Sequence, residues 1–283
     1  MNLFKGCLLA SDVDGTLVRD GKVCERNIEK IRFFMQQGGA FSQASGRTPG
    51  GVYEIKKQIW EISPCVMTNG TVIYDFTNNE AVAQEYVSRD DLWVTERIME
   101  EFPNVGVQAH HEKKVLVIRH NSEVQAHIDY EHLDAVEMDL YTAATYTWNK
   151  LIYFANDLDE YARLVEFTKD LKCDSHFVNG IGYAFGKDRH YREQMPNGIT
   201  KASGIKKLCK MLDIKEGGYF AIGDFYNDLE MIKAADIGAV VEEAPDDIKA
   251  MADVVVGKAA DGAVADFIDY LTQRKEAENG RNN

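Results

Sequence analysis

The sequence predicts an α/β protein: a doubly wound, Rossmann-like parallel sheet with an α+β module inserted into it. Three observations predict this. Short apolar runs alternate with helix-period segments from Cys7 to Gly70. The same alternation resumes at Thr200 and continues to Gln273. The stretch between is richer in strand-like alternation and breaks the pattern. A length of 283 residues, 45% of them hydrophobic, allows two ordinary domains with substantial cores. The boundaries read as 1–82 and 193–283 for the doubly wound domain and 83–192 for the insertion.

The first strand is Cys7–Ala10, leading into Ser11-Asp12-Val13-Asp14-Gly15-Thr16. A period of two puts Asp12 and Asp14 on one side if extended geometry persists through them. Gly15 then lets the chain turn. Residues 17–24 read as a loop with a small hairpin at Asp20-Gly21. A helix follows, capped by Asn27 and stopped by Gly38-Gly39. Ala40–Ala44 form a second strand ending in Ser45-Gly46-Arg47. A helix runs from Pro49 towards Trp60, and a third strand, Cys65–Met67, ends in Thr68-Asn69-Gly70. Ligands bind outside the carboxyl ends of strands in such sheets.

In the insertion the clearest strands are Val115–Ile118 and Leu151–Ala155, with weaker ones at Tyr146–Trp148 and Phe177-Val178. Helical segments span roughly 90–101, 123–133 and 158–171. Gly180, Gly182 and Gly186 suggest turns around a short strand. His110-His111 read as loop histidines rather than a zinc site, and Trp60, Trp93 and Trp148 as packing residues. Tyr141, Tyr146 and Trp148 are candidates for lining the underside of the inserted module.

After Thr200 a helix carries Lys201 in its first turn, where the helix dipole disfavours a cation unless an anion holds it. Strand Tyr219–Ile222 ends in Gly223-Asp224, followed by Phe225-Tyr226-Asn227-Asp228. Strand 237–241, helix 245–252, strand 254–256 and helix 262–273 complete the domain, and the polar tail from Arg274 reads as frayed.

The chain has 32 basic and 46 acidic residues, a net charge of −14. Such a surface disfavours nucleic acid and anionic membranes. An anionic substrate then needs a local positive site, such as a metal ion with a few basic side chains. Cys7, Cys24, Cys65, Cys173 and Cys209 form no Cys-x-x-Cys pair and are odd in number, which points to free thiols in a reducing compartment. Asp12 ends the N-terminal apolar patch too soon for a signal peptide, and no stretch approaches the ~20 apolar residues of a membrane helix. A cytoplasmic protein is expected, with a monomer compatible with the two-domain organisation.

Taken singly, these polar residues have plain readings: a turn aspartate, a capping serine, a surface lysine. Together, Asp12-x-Asp14-Gly15-Thr16, Ser45-Gly46-Arg47, Lys201 and Gly223-Asp224-x-x-Asn227-Asp228 fall at strand ends or helix starts of one sheet. In that order and spacing they resemble the haloacid dehalogenase superfamily of phosphatases. The match is to its Cof-type subfamily, whose large (type IIB) cap is inserted between the second and third motifs. The resemblance covers nearly the whole chain, down to Glu243-Ala244-Pro245 and Asp261-Gly262-Ala263-Val264.

It implies a Mg2+-dependent phosphatase that forms an aspartyl-phosphate on small phosphorylated metabolites, sugar phosphates first and nucleotide or cofactor phosphates next. Asp12 would be the nucleophile and Asp14 the general acid, then base. Asp12, Asp224 and the Asp14 carbonyl would hold the metal, with Asp228 touching it directly or through water. Lys201 would neutralise charge on Asp12 and the phosphate. Ser45, Gly46, Arg47 and Asn227 would meet the substrate. Phe225-Tyr226 departs from the small or polar residues more usual there, and could narrow the pocket or pack under it. A phosphosugar mutase of the same superfamily and a non-catalytic phosphometabolite-binding regulator remain the alternatives.

Overall fold

A computed structural model describes residues 2–19, 21–59, 62–184 and 187–281. Strand β1 (Leu8–Asp12) is buried along its whole length. A hairpin of β2 (Val18–Arg19) and β3 (Lys22–Val23) follows, and Asp20, its expected turn residue, lies outside the described residues. Then come α1 (Glu25–Gln36), β4 (Ala40–Ala44), the single turn α2 (Tyr53–Lys56) and β5 (Cys65–Met67). The chain continues through β6 (Val72–Asp75), β7 (Glu80–Gln84), α3 (Leu92–Glu101), β8 (Gly106–His111), β9 (Lys114–Arg119) and α4 (Ser122–Glu131). Next are β10 (Asp134–Glu137), α5 (Leu140–Ala143), β11 (Lys150–Phe154), α6 (Leu158–Lys169), β12 (Ser175–Ala184) and β13 (Lys187–Pro196). The last segment holds α7 (Lys201–Met211), β14 (Tyr219–Gly223), α8 (Leu229–Ala234), β15 (Ile237–Val240), α9 (Asp246–Lys249), β16 (Val254–Val255) and α10 (Ala263–Arg281).

These elements make two compact units. The first comprises the chain up to Gly46, Tyr53–Val82 and the chain from Thr200; the second comprises Arg47–Val52 and Ala83–Ile199. The first unit holds an eight-stranded sheet in the order β16-β15-β14-β1-β4-β5-β6-β7. The pairings from β16 through β5 are parallel, and β6 turns antiparallel to β5. The α/β class expected from the sequence holds. From β1 the chain winds outward through β4 and β5, and on return it winds the other way through β14, β15 and β16. The order therefore reverses between β1 and β14, and in such sheets the carboxyl strand ends at this switch point are where ligands bind. Leu8, Leu9, Phe41, Val66, Phe220 and Ile222 fill the sheet, and α1 packs on α10.

The second unit has a six-stranded sheet ordered β10-β9-β8-β11-β13-β12, mostly antiparallel. One core of this unit gathers Val94, Ile98, Val107, Leu116, Leu151, Tyr153 and Leu164; another gathers Val115, Val117, Val124, Ile152 and Phe154. The expected re-entry point at residue 193 falls inside β13, and residues 193–199 lie with the second unit.

Several local expectations change. Asn27 does not cap α1, whose N-cap is Cys24; it is buried two positions into the helix and its Oδ1 accepts from the Ala265 backbone N–H at 2.9 Å. It thus satisfies an orphan donor in the first turn of α10, a contact between residues far apart in sequence. The helix expected from Pro49 shrinks to α2, because Gly50 and Gly51 weaken helix formation and residues 47–52 associate with the second unit. Trp60 lies outside the described residues. Tyr146–Trp148 is a turn, not a strand: Tyr146 N–H and Trp148 Nε1 both donate to the Ala143 carbonyl. The tail from Arg274 is helical through Arg281, with Glu278 near Arg274 and Lys275. Gly180 sits inside ten-residue β12, where a Cβ would meet the Tyr191 ring at 1.9 Å; Gly186 lies outside the described residues. His110 and His111 belong to β8, not a loop.

Candidate active site

Asp12 ends β1 and is 5% exposed. The strand stops there, and Asp14, two residues on, is exposed where Asp12 is buried. Gly15 has φ +88°, outside the range L side chains favour. The turn it makes brings Thr16, whose Oγ1 donates to Asp224 Oδ1 at 3.1 Å. Local sequence marks Thr16 only as the last residue of the Asp12–Thr16 motif, because its partner lies 208 residues away.

Lys201 is the first residue of α7. Thr200 caps the helix in a reciprocal pair with Ser203. The approach of this helix end requires Gly70, at φ +103°, where a Cβ would stand 2.1 Å from the Thr200 carbonyl oxygen. Lys201 is buried and its Nζ donates to Asp12 Oδ1 at 2.5 Å and Asp228 Oδ1 at 2.7 Å. Asp228 closes the turn after β14, its Oδ2 accepting from the backbone N–H of Asp224 (3.2 Å) and Phe225 (3.3 Å). Asp12, Asp224 and Asp228 each place a carboxylate oxygen within 4.8 Å of the others.

Burial pushes the Asp12 carboxyl well up, and the Asp228 charge adds to this against the pull of Lys201. The same causes in the same order push Asp224 up to about 7. Burial alone would lower the Lys201 ammonium, but Asp12 and Asp228 more than reverse it. Asp12 Oδ2 is buried without a hydrogen-bond partner. Three converging carboxylates, an unsatisfied buried oxygen and carboxyls driven towards their neutral forms are what a hard divalent cation relieves. The residues present fit one.

Ser45, just past β4, is buried, and its backbone N–H donates to Val66. Its carbonyl accepts from Asn69 N–H. A Cβ on Gly46 would lie 3.0 Å from Asn69 Oδ1. Ser45, Gly46 and Asn227 stand in the first unit, Asn227 on the exposed side of its turn. Arg47 belongs to the second unit: its Nη1 donates to the Gly51 carbonyl, its guanidinium lies 5.6 Å from the Tyr130 ring centroid, and Nε is 4.0 Å from Glu131. Phe225 and Tyr226 do not pack beneath the site. Both are exposed, in an edge-on pair, and the Tyr226 hydroxyl donates to Asp247.

The family model for haloacid dehalogenase-like hydrolases matches residues 9–268. The chain belongs to that family. The resemblance inferred from four short motifs thus holds for nearly the full length. An HMP-PP phosphatase of Serratia proteamaculans is 23% identical over 286 residues, covering 93% of this chain and 94% of its own. A haloacid dehalogenase-like hydrolase from Bacteroides thetaiotaomicron superposes with a TM-score of 0.78 at 22% identity, covering 94% of this chain and 99% of that one. A HAD subclass IIB sugar phosphatase gives a TM-score of 0.75 at 19% identity, covering 93% and 98%. These two structural likenesses concern the fold. Among the described residues, no helix of this hydrolase is long and apolar enough to cross a membrane.

Proposed function

We propose that this hydrolase is a Mg2+-dependent phosphatase acting on small phosphorylated metabolites, sugar phosphates foremost, through an aspartyl-phosphate on Asp12. The observation that carries the reading is the Asp12 carboxylate: one oxygen bound by Lys201, the other buried and unmatched, at the carboxyl end of a central strand. A carboxylate needs no base to act as a nucleophile, only relief from repulsion by the phosphate. Asp12 and Asp224, with the Asp14 backbone carbonyl, would hold the Mg2+, and Asp228 would hold it directly or through water. When bound, the ion would neutralise phosphoryl charge.

Asp12 Oδ2 attacks phosphorus while Lys201 screens the negative charge gathering on Asp12 and the phosphoryl oxygens. Asp14, exposed beyond the strand, delivers a proton to the leaving alkoxide and then takes one from the water that hydrolyses the acyl phosphate. Ser45 and Asn227 bind the phosphoryl group, and Gly46 keeps backbone close to it. Arg47 contacts the substrate from its place beside Glu131.

The named HMP-PP phosphatase and sugar phosphatase are consistent with phosphate esters as substrates. The test is phosphate release from a panel of sugar, nucleotide and cofactor phosphates, with and without Mg2+, alongside Asp12→Asn. Release should need both the ion and Asp12. Isomerised sugar phosphate without free phosphate would instead identify a mutase.

A further inference from the structure

The turn that ends β5 carries three consecutive residues at positive φ: Thr68 at +54°, Asn69 at +54° and Gly70 at +103°. The other described non-glycine residues at positive φ are Asn79, Glu112, His132 and Asp213, each alone in sequence and exposed. Thr68, in contrast, is 1% exposed. A left-handed φ is unfavourable for an L side chain and most of all for a β-branched one. Thr68 Oγ1 is also buried without a hydrogen-bond partner. Two unfavourable features on one residue persist only where the surroundings over-determine its conformation.

Two neighbours do so. On one side is Ser45. Its N–H donates to the Val66 carbonyl at 2.9 Å, and its carbonyl accepts from the Asn69 N–H at 3.0 Å. Both backbone groups of Ser45 are thus held by β5 and the turn after it. The Asn69 amide oxygen lies beside the next residue, where a Cβ on Gly46 would come within 3.0 Å of it. On the other side is the start of α7, which carries Lys201. A Cβ on Gly70 would stand 2.1 Å from the Thr200 carbonyl oxygen, and a Cβ on Gly204 would stand 3.0 Å from Gly70 Cα. One tight turn therefore touches both the Ser45 segment and the Lys201 helix. Asparagine tolerates positive φ, so a plain turn would account for the Asn69 backbone. It would not account for the cost kept at Thr68 or for the amide beside Gly46.

We propose that Asn69 is a positioning residue for Ser45. Its N–H fixes the Ser45 carbonyl, its amide braces the Ser45-Gly46 peptide, and Gly70 ties the same turn to the helix of Lys201. The proposal rests on the phosphatase reading above, in which Ser45 binds the phosphoryl group.

The experiment is a double-mutant cycle of wild type, Asn69→Gly, Ser45→Ala and the two changes combined. Glycine keeps the positive φ and the N–H and removes only the amide. Three readouts are taken: kcat/KM on p-nitrophenyl phosphate at saturating Mg2+, the calorimetric Kd of inorganic phosphate with Mg2+, and Tm. Asn69→Gly should lower kcat/KM about 10- to 100-fold and weaken phosphate binding, with Tm lowered by no more than about 4 °C. The combined loss should fall short of the product of the two single losses by about threefold or more. The proposal is overturned if the losses multiply, whatever Tm does, because a general loss of packing acts independently of Ser45. It is equally overturned if Asn69→Gly stays within threefold of wild type, or if Ser45→Ala alone matches wild type. A wild type that binds phosphate but hydrolyses no ester would sink the phosphatase reading only, and the same cycle on phosphate Kd would decide this one. A wild type that does neither would overturn both.

Discussion

Replacing Gly15 with alanine tests how tightly the turn after β1 sets the site. Gly15 has φ +88°, and a Cβ there would lie 2.5 Å from Asp224 Oδ2. The backbone strain for an L residue costs about 1–2 kcal/mol. Ordinary van der Waals contact begins near 3.4 Å, so the carboxylate must retreat by about 0.9 Å (3.4 − 2.5). Since the obstructing atom is the end of a side chain, the fold can accommodate this, and the penalty falls on chemistry. Asp224 would leave its contact with Thr16 and its grouping with Asp12 and Asp228. A misplacement near 1 Å lowers turnover on the order of 100-fold. The variant should therefore stay folded, with stability reduced by about 1–2 kcal/mol in urea titration. Phosphate release at saturating Mg2+ should fall about 100-fold, and half-saturation by Mg2+ should move to higher concentration. Activity and Mg2+ dependence within threefold of wild type would refute the reasoning, because Asp224 would then not need its observed position.

Lys201→Met leaves Asp12 and Asp228 buried without their shared cation; a loss of about 3–5 kcal/mol is expected in urea unfolding, part of it restored by Mg2+, and no restoration would argue against the carboxylates as a metal site. Glu131 has its carboxyl held down to about 2: burial opposes this, but His127 and then Arg47 prevail. Its folded value lies below the unfolded 4.5, so its stabilisation is present above about pH 4.5 and is lost as pH falls towards 2. At about 1.4 kcal/mol per unit the span is up to ~3 kcal/mol, and Glu131→Gln should flatten the acid limb of stability measured between pH 7 and pH 3. Asn27→Ala removes the acceptor for the Ala265 N–H and should lower stability by about 1–2 kcal/mol, with activity retained; an unchanged Tm would show that the bond contributes nothing.

The apolar runs at Cys7–Ala10, Ala40–Ala44, Cys65–Met67 and Tyr219–Ile222 were legible as strands because a parallel sheet buried on both faces demands near-continuous apolar sequence. The motifs at their ends were legible for a related reason. Polar clusters that interrupt such runs have only the strand ends to occupy. The second unit was less so. β10 and β13 carry too many charged residues for an apolar pattern, and β13 finds its place through pairing with β11 and β12, which lie earlier in the chain. The role of Asn27 is hidden for the same cause: its partner stands 238 residues away, and capping rules see only neighbours.

Composition and periodicity by themselves determined the α/β class and the presence of an inserted module, and the resemblance of four ordered motifs to a known family supplied the residues expected to meet a phosphate and a metal. These depend on short-range pattern and on residue chemistry. Only the tertiary structure decided that Lys201 binds Asp12 and Asp228 together, that Asp14 is exposed while Asp12 is buried, and that Gln108, His110 and Glu131 lie sealed with atoms unmatched. Burial and long-range pairing set the electrostatic state of each group, and neither is a property of local sequence.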